Sequence, residues 1–485
     1  MPPNGGGRAE YGMPLILIRF ILDVQGDVAE AVLKEAWTLS IETLSWMEMR
    51  KLSEPLALAR TVKQLGMTDH NVVRMAHLLV SETVRRKNFI DKFINDVLKP
   101  DSLDEFDFGT QAFLRLYVYQ TRIVKNWARA DFDEAANIAK LGRSILGWKT
   151  VQPVEPILGV LLTQEAASML EAGSDEQQIG LRTFHPSWFV SYCMGLFGRA
   201  GTVGLLQADM KPPPTYVRLN TLKADEEDIL QRVYKDGVSV EKVNGLRYTY
   251  EVAATPQPVT RTASFKEGLL YVQDEASCFA VEAGNPTSGM TVLDVCAAPG
   301  AKTTFVAQLM QNKGEIFSLD YSKRRMATWK NEVSGAGVGI AEPIVADARF
   351  RLPLDVEADL LVLDPPCTGT GTFAKNPAAK WRLVPSSIEK MAEIQWQILN
   401  NCSKYVKPGG TLVYSTCSIT VEENEMLVER FTKWHPEFLL NEITPKIGLP
   451  GLRGLDKCQR LYPHLHRCNG FFIARMLKSK DNEST

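Results

Sequence analysis

The sequence carries no excess of one charge: 55 Lys and Arg stand against 57 Asp and Glu, a formal net charge of −2. A polycation is excluded, so any nucleic-acid surface has to be a local patch. Disulfide-scaffold spacing is missing too, because the eight cysteines are scattered over 485 residues. A reducing cytoplasm is the simpler setting for such a chain. The most apolar early stretch, M13-P-L-I-L-I-R-F-I-L-D-V24, is short, is interrupted by Arg19 and Asp23, and has no small-residue cleavage site. Neither a signal peptide nor a membrane span is read there. Tandem repeats are absent, and so is a G-x-G-x-x-G fingerprint, which argues against a nicotinamide dehydrogenase.

What is present is the composition of an ordinary globular protein, 45% hydrophobic and 23% charged. The length exceeds one core's usual capacity, so two or three domains are expected. Residues 27–172 are nearly free of strand signals and show helical apolar spacing in V28-A-E-A-V-L-K-E-A-W37 and F113-L-R-L-Y-V-Y-Q-T-R122, the pattern of an all-α domain. The polar run E171-A-G-S-D-E-Q-Q-I-G180 places a linker at 173–184, and the ends, 1–26 and 479–485, read as flexible. A small α+β subdomain is expected over 185–285, from strand-like T215-Y-V-R-L-N220, helix-like A224-D-E-E-D-I-L-Q-R-V-Y234 and strand-like L269-L-Y-V-Q273. Over 286–478, apolar runs alternate with helical patterns: T291-V-L-D-V295, E315-I-F-S-L-D320, I344-V-A346, L360-L-V-L363, T411-L-V-Y414 and F471-F-I-A474. Alternation of this kind predicts βαβ units and a doubly wound, mostly parallel sheet.

Ligands of such sheets lie beyond the carboxyl ends of the strands. The first strand ends in D294-V-C-A-A-P-G-A-K-T-T304, a small-residue loop entering a helix whose free N–H groups face outward. The next ends at Asp320, placed to reach a ribose hydroxyl pair, and a third ends near V345-A-D347, where Asp347 can accept from an adenine amino group. Followed by D364-P-P, these signals favour an adenosine-bearing cofactor. Without the dinucleotide fingerprint, S-adenosylmethionine is preferred over NAD.

The blocks Y271-V-Q-D-E-A-S277, D294-V-C-A-A-P-G-A-K302, D364-P-P-C-T-G369 and S415-T-C-S418 are similar, in order and spacing, to motifs of the Nol1/Nop2/Sun family of RNA cytosine-5 methyltransferases. Nearly the whole chain matches. The helical leader, H185-P-S-W188 and Y216-V-R-L-N-T221 resemble the bacterial small-subunit rRNA methyltransferase B branch. That resemblance implies a NusB-like RNA-binding leader and a class I methyltransferase domain with a seven-stranded, mostly parallel sheet. It also implies that Cys296, Ala297, Ala298, Pro299, Gly300, Ala301, Lys302, Asp320, Arg325, Asp347 and Asp364 hold the cofactor. Ala301 stands where the family has a second glycine, and a positive φ there would cost about 1 kcal/mol.

Carbon 5 of cytosine is a poor nucleophile, so an enzyme must first add a thiolate to carbon 6. Of two candidate thiols, the resemblance assigns attack to Cys417 and product release to Cys367, with Asp364 as the acid near N3. The run T420-V-E-E423 reads as a capping box opening a helix beside Cys417. A DNA-type enzyme would instead attack with Cys367, and a non-catalytic RNA-binding factor could lose both thiols. In C458-Q-R-L-Y-P-H-L-H-R-C468 the ligand spacing does not suit zinc, and a structural role is preferred. Basic residues R85-R-K87, Arg122, Lys125 and Arg129 are candidates for tracking phosphates. The expected partner is structured RNA, rRNA before tRNA, met by a monomer with no metal and no membrane.

Overall fold

The computed structural model describes residues 27–480 apart from 126, 128 and 129. The expected flexible N-terminus, 1–26, lies outside the described residues, as does 481–485 of the expected tail. Ser479 donates twice to the Glu437 carbonyl, so the tail begins later than its composition suggests. The described residues divide into two compact units, one ending at Val203 and including Pro377–Arg382, the other starting at Gly204.

The first unit is helical. Helices Asp27–Arg50, Glu54–Leu65, His70–Arg85, Lys87–Leu98 and Phe108–Val118 start behind oxygen-bearing caps where the chain provides them: Asp69 accepts from the Asn71 amide at 2.7 Å and Asp107 from the Thr110 amide at 3.0 Å. Thr110–Val118 is buried on every side, so this segment is the helix around which the others pack. It continues as a π-helix over Tyr119–Ile123. The linker expected at 173–184 is a correction, because Asp175–Thr183 is helical. Ser174 and Gln177 form a reciprocal capping box there, which lets a polar run start a helix. Past the expected subdomain boundary at 185, Phe189, Val190 and Cys193 are fully buried, in a stretch that falls within the first compact unit. Their helix, Ser187–Ala208, is long and apolar enough to cross a membrane by composition, but it is two helices broken at Gly198 (φ 65°, ψ 178°). Pro377–Arg382 joins the same unit, with the Trp381 indole N–H donating to the Val84 carbonyl at 2.6 Å.

The second unit holds two sheets. The small one comprises β1 (Tyr216–Leu219), β2 (Ser239–Lys242), β3 (Thr249–Ala254) and β4 (Leu270–Val272) in the order β2-β3-β1-β4, antiparallel throughout. Helix Glu226–Lys235 buries Ile229 and Val233 within this subdomain. Arg218 of β1 is almost fully buried and donates to Thr304 at 2.7 Å and Gln308 at 3.0 Å on helix Ala301–Leu309. The small sheet is thereby tied to the helix that follows the cofactor loop.

The large sheet comprises β5 (Thr291–Val295), β6 (Glu315–Asp320), β7 (Ala341–Val345), β8 (Ala358–Leu363), β9 (Val406–Thr416), β10 (Phe438–Asn441), β11 (Leu449–Pro450), β12 (Gln459–Leu461) and β13 (Phe471–Lys478). Its order is β11-β12-β13-β9-β8-β5-β6-β7, with β10 also paired to β13. Strands β5 to β9 are mutually parallel, and every pairing beyond β9 is antiparallel. The expected seven-stranded, mostly parallel sheet is therefore corrected to nine strands, five of them parallel. The extra strands are short. β12 pairs with the first half of β13 and β10 with its second half, and runs of two to four residues leave no periodicity to read in the sequence. The core on the two faces is built from β-strand residues such as Val292, Val362 and Ile473 on one side and Leu293, Leu361 and Phe472 on the other. The parallel course of β5 to β9 puts the last residues of these five strands at one edge of the sheet.

Candidate active site

Expected site residues mark the carboxyl ends of all five parallel strands: Cys296 after β5, Asp320 at the end of β6, Asp347 after β7, Asp364 after β8 and Cys417 after β9. The order reverses between β5 and β8, the switch point where ligands settle in such sheets. The loop after β5 turns at once. Cys296 takes a left-handed φ of 64° and the Ala297 amide donates to the Leu319 carbonyl at 2.8 Å. Gly300 has φ 121°, and a Cβ there would lie 3.3 Å from the Trp329 ring, so glycine is required at this position. Ala301 is the first residue of helix Ala301–Leu309 and is not among the positive-φ positions. The condition for strain at Ala301 is not met: the turn completes at Gly300.

Charges around this loop are matched in pairs. Lys302 is buried, donates to Asp364 at 2.6 Å and lies 5.7 Å from the Phe471 ring centroid. Burial alone would depress the Lys302 pKa, but Asp364 and Asp294 outweigh it and the net shift is upward. Lys302 is thus a fixed cation. Asp294, fully buried and bonded by Thr303 at 2.5 Å, is pushed up to about 6, burial being the main cause. Burial, with Asp364 second, likewise holds Cys296 as a neutral thiol. Asp320 is 2% exposed; its Oδ1 accepts from the Ser322 amide at 2.9 Å, and its buried Oδ2 has no hydrogen-bonded donor, although Arg325 Nη1 is 3.1 Å away. A buried carboxylate oxygen with an open lone pair fits the hydroxyl pair of a ribose. Asp347 is engaged through both its oxygens by the partly exposed Arg349, at 2.6 to 3.1 Å.

The thiols meet at the ends of the neighbouring parallel strands β8 and β9. Cys367 Sγ and Cys417 Sγ are 3.2 Å apart. Hydrogen bonding to Cys417, and then burial, push the Cys367 thiol well above its usual pKa. The two sulfurs are within hydrogen-bonding distance, and either can be the donor. Ser415, two residues before Cys417, donates to Asp364 Oδ1 at 3.4 Å. All eight cysteines are free of disulfides.

Sequence reasoning missed the residues that brace these loops. T420-V-E-E423 does not cap a helix, a further correction: the helix runs Glu425–Trp434 behind Asn424, and Glu423 turns inward with no exposed surface. Asn424 accepts from Thr416 at 2.6 Å and donates to the Ser418 carbonyl at 2.9 Å. Glu425 pairs with Arg460, whose Nη1 donates to the Ile419 carbonyl at 2.8 Å. The acidic run E422-E-N-E425 was the signal available, since charged residues flanked by apolar strands are buried only when partnered. The basic residues proposed to track phosphates are committed elsewhere: Arg85 and Arg86 to Glu82, Lys87 to Glu48, Lys125 to Glu134, and buried Arg122 to the Gln164 carbonyl. Arg129 lies outside the described residues. Cys458 and Cys468 are buried in separate apolar clusters, one on each face of the large sheet.

The chain matches the family described as 16S rRNA methyltransferase RsmB/F over residues 281–477, and the RsmF/B-like ferredoxin-like domain over 185–251. A Bacillus subtilis protein named probable ribosomal RNA small subunit methyltransferase B is 30% identical over 451 residues, covering 91% of this chain and 98% of that one. A tRNA (cytosine(72)-C(5))-methyltransferase of Pyrococcus horikoshii is 37% identical over 218 residues, 45% of this chain and 54% of its own. The crystal structure of PH0851 superposes with a TM-score of 0.78 at 29% identity, covering 92% of this chain and 99% of the other. The family uses S-adenosylmethionine, and the residues after β5, β6 and β8 fit it. Asp320→Ala is expected to weaken S-adenosylmethionine binding by about 1.5–3 kcal/mol, the range for a hydrogen bond involving a charged group; unchanged affinity by calorimetry in a folded variant would refute the assignment. From its motifs, its sheet and these relatives, the chain belongs to the Nol1/Nop2/Sun family of S-adenosylmethionine-dependent RNA methyltransferases, in its RsmB-like branch.

Proposed function

We propose that the protein methylates carbon 5 of a cytosine in structured RNA, with ribosomal RNA as the favoured substrate, through a covalent adduct on Cys417. The observation that carries this reading is the pair of thiols 3.2 Å apart at the ends of the strand that precedes Asp364 and of its parallel neighbour. An enzyme acting on an exocyclic amine has no use for two adjacent cysteines, whereas carbon 5 chemistry needs a nucleophile to enter and leave. Bound S-adenosylmethionine supplies the methyl group. It is held by the 296–302 loop, Asp320, Arg325 and Asp364, with Asp347 available once it parts from Arg349.

Cys417 adds as thiolate to carbon 6, and the electron pair of the 5,6 double bond becomes available at carbon 5. Asp364, held by Lys302, is the acidic partner near N3 that stabilises the adduct. After methyl transfer a base takes the carbon 5 proton, the double bond re-forms, and the carbon–sulfur bond breaks to return the thiolate. Cys367 assists that departure. The target base has to be unpaired or flipped to meet both groups. The similarity to the Bacillus subtilis relative favours ribosomal RNA, and residues 27–172 serve as a NusB-like RNA-binding leader.

Purified protein incubated with methyl-labelled cofactor and rRNA is expected to yield 5-methylcytidine on nuclease digestion, at a position located by bisulfite sequencing. Label recovered in another nucleoside, or none, would sink the proposal.

A further inference from the structure

The Glu423 carboxylate is completely buried and receives five donors. Oε1 accepts from the Thr368 amide at 2.8 Å and Gln395 Nε2 at 2.9 Å. Oε2 accepts from the hydroxyls of Thr368, Ser418 at 2.6 Å and Thr420 at 2.7 Å. Thr368 follows Cys367 and Ser418 follows Cys417. Gln395 also donates to the Pro366 carbonyl at 2.8 Å, so a single carboxylate gathers both cysteine loops from either side. We propose that Glu423 is a positioning residue that sets the separation and mutual orientation of the Cys367 and Cys417 thiols, and thereby controls release of the covalent RNA adduct.

The chemistry of the partners makes the case specific to a carboxylate. Each of the five is a donor, and an ionised carboxylate only accepts. Glutamine has the same shape, but it accepts at one terminal atom only: with Nε2 in place of Oε1 it faces the Thr368 and Gln395 N–H groups, and with Nε2 in place of Oε2 its two N–H groups meet three hydroxyls that must turn from donating to accepting or lose their acceptor. Leaving such groups facing one another in a buried site pushes the loops apart. Glu423 touches neither base nor cofactor in this scheme; it acts through the residues following each thiol. Elimination demands the most of this geometry, since the carbon 5 proton leaves to a base while the carbon–sulfur bond of Cys417 breaks beside Cys367.

The inference rests on the two-thiol reading, and its test separates the two. Glu423→Gln, with both cysteines present, is expected to bind S-adenosylmethionine within about twofold of the wild type, turn over roughly 100-fold more slowly, as for a small misplacement of reacting groups, and accumulate an RNA adduct that survives denaturing electrophoresis. A merely structural role would lower cofactor binding and turnover together and leave no adduct; that outcome, or wild-type turnover, overturns the proposal. Should Glu423→Gln fail to fold, Thr368→Val decides: it deletes one donor at constant shape and is expected to slow release about tenfold with visible adduct, wild-type release being the contrary result. If instead Cys417→Ala still forms adduct, the thiol assignment itself has failed.

Discussion

Cys417→Ala is expected to give neither methylation nor a covalent RNA adduct, with the fold and S-adenosylmethionine affinity intact. The side chain sits at the end of β9 and is only partly buried, so its truncation leaves a small gap and little strain. Cys367→Ala is expected to do the opposite: attack and methyl transfer proceed, elimination stalls, and a protein–RNA band resistant to denaturing electrophoresis accumulates. The double variant is expected to lose that band. Two residues 3.2 Å apart that act in one sequence of steps give such non-additive results. The reverse pattern, with adduct trapped by Cys417→Ala and abolished by Cys367→Ala, would assign attack to Cys367 and favour a DNA-type mechanism.

Glu425→Ala is expected to cost about 3–5 kcal/mol, because it strands the buried Arg460 guanidinium as an unpaired charge. Neither member of this pair has more than 1% of its side chain exposed, and Arg460 donates to Glu425 through Nε at 2.5 Å and through Nη2. Burial depresses the Arg460 pKa, yet Glu425 outweighs it and holds the guanidinium charged. The melting temperature should fall by roughly 10 °C. Replacing both residues by methionine is expected to recover much of that loss, since an apolar pair of similar volume avoids the stranded charge. A melting temperature unchanged in Glu425→Ala would show that the pair contributes nothing. Activity should fall more than stability implies, because Arg460 also fixes the carbonyl of Ile419, two residues beyond Cys417.

Much of the second unit was legible because its strands are apolar runs flanked by turns, and five of them end in chemistry-bearing residues. The central strands β5, β6 and β8 fall where the alternation placed them. The short antiparallel strands β10 to β12 were not legible. Their residues pair only because β13 passes alongside, which is a non-local event. The polar linker at 173–184 was misread because Ser174 and Gln177 cap each other, a signature overshadowed by surrounding polarity. Basic residues such as Lys87 and Arg122 looked like a surface until the fold set Glu48 and the Gln164 carbonyl against them.

The sequence by itself determined the doubly wound core and the small-residue loop after its first strand, because these depend on periodicity and on residues adjacent in the chain; the roles of the two thiols came from the family resemblance. Only the tertiary structure decided that Cys367 and Cys417, 50 residues apart, touch, and that Glu423 rather than a helix cap holds their loops. The physical reason is that β8 and β9 pair in parallel with Leu363 opposite Tyr414, so loops distant in sequence emerge side by side. A buried carboxylate then becomes the common acceptor for whatever donors those loops present.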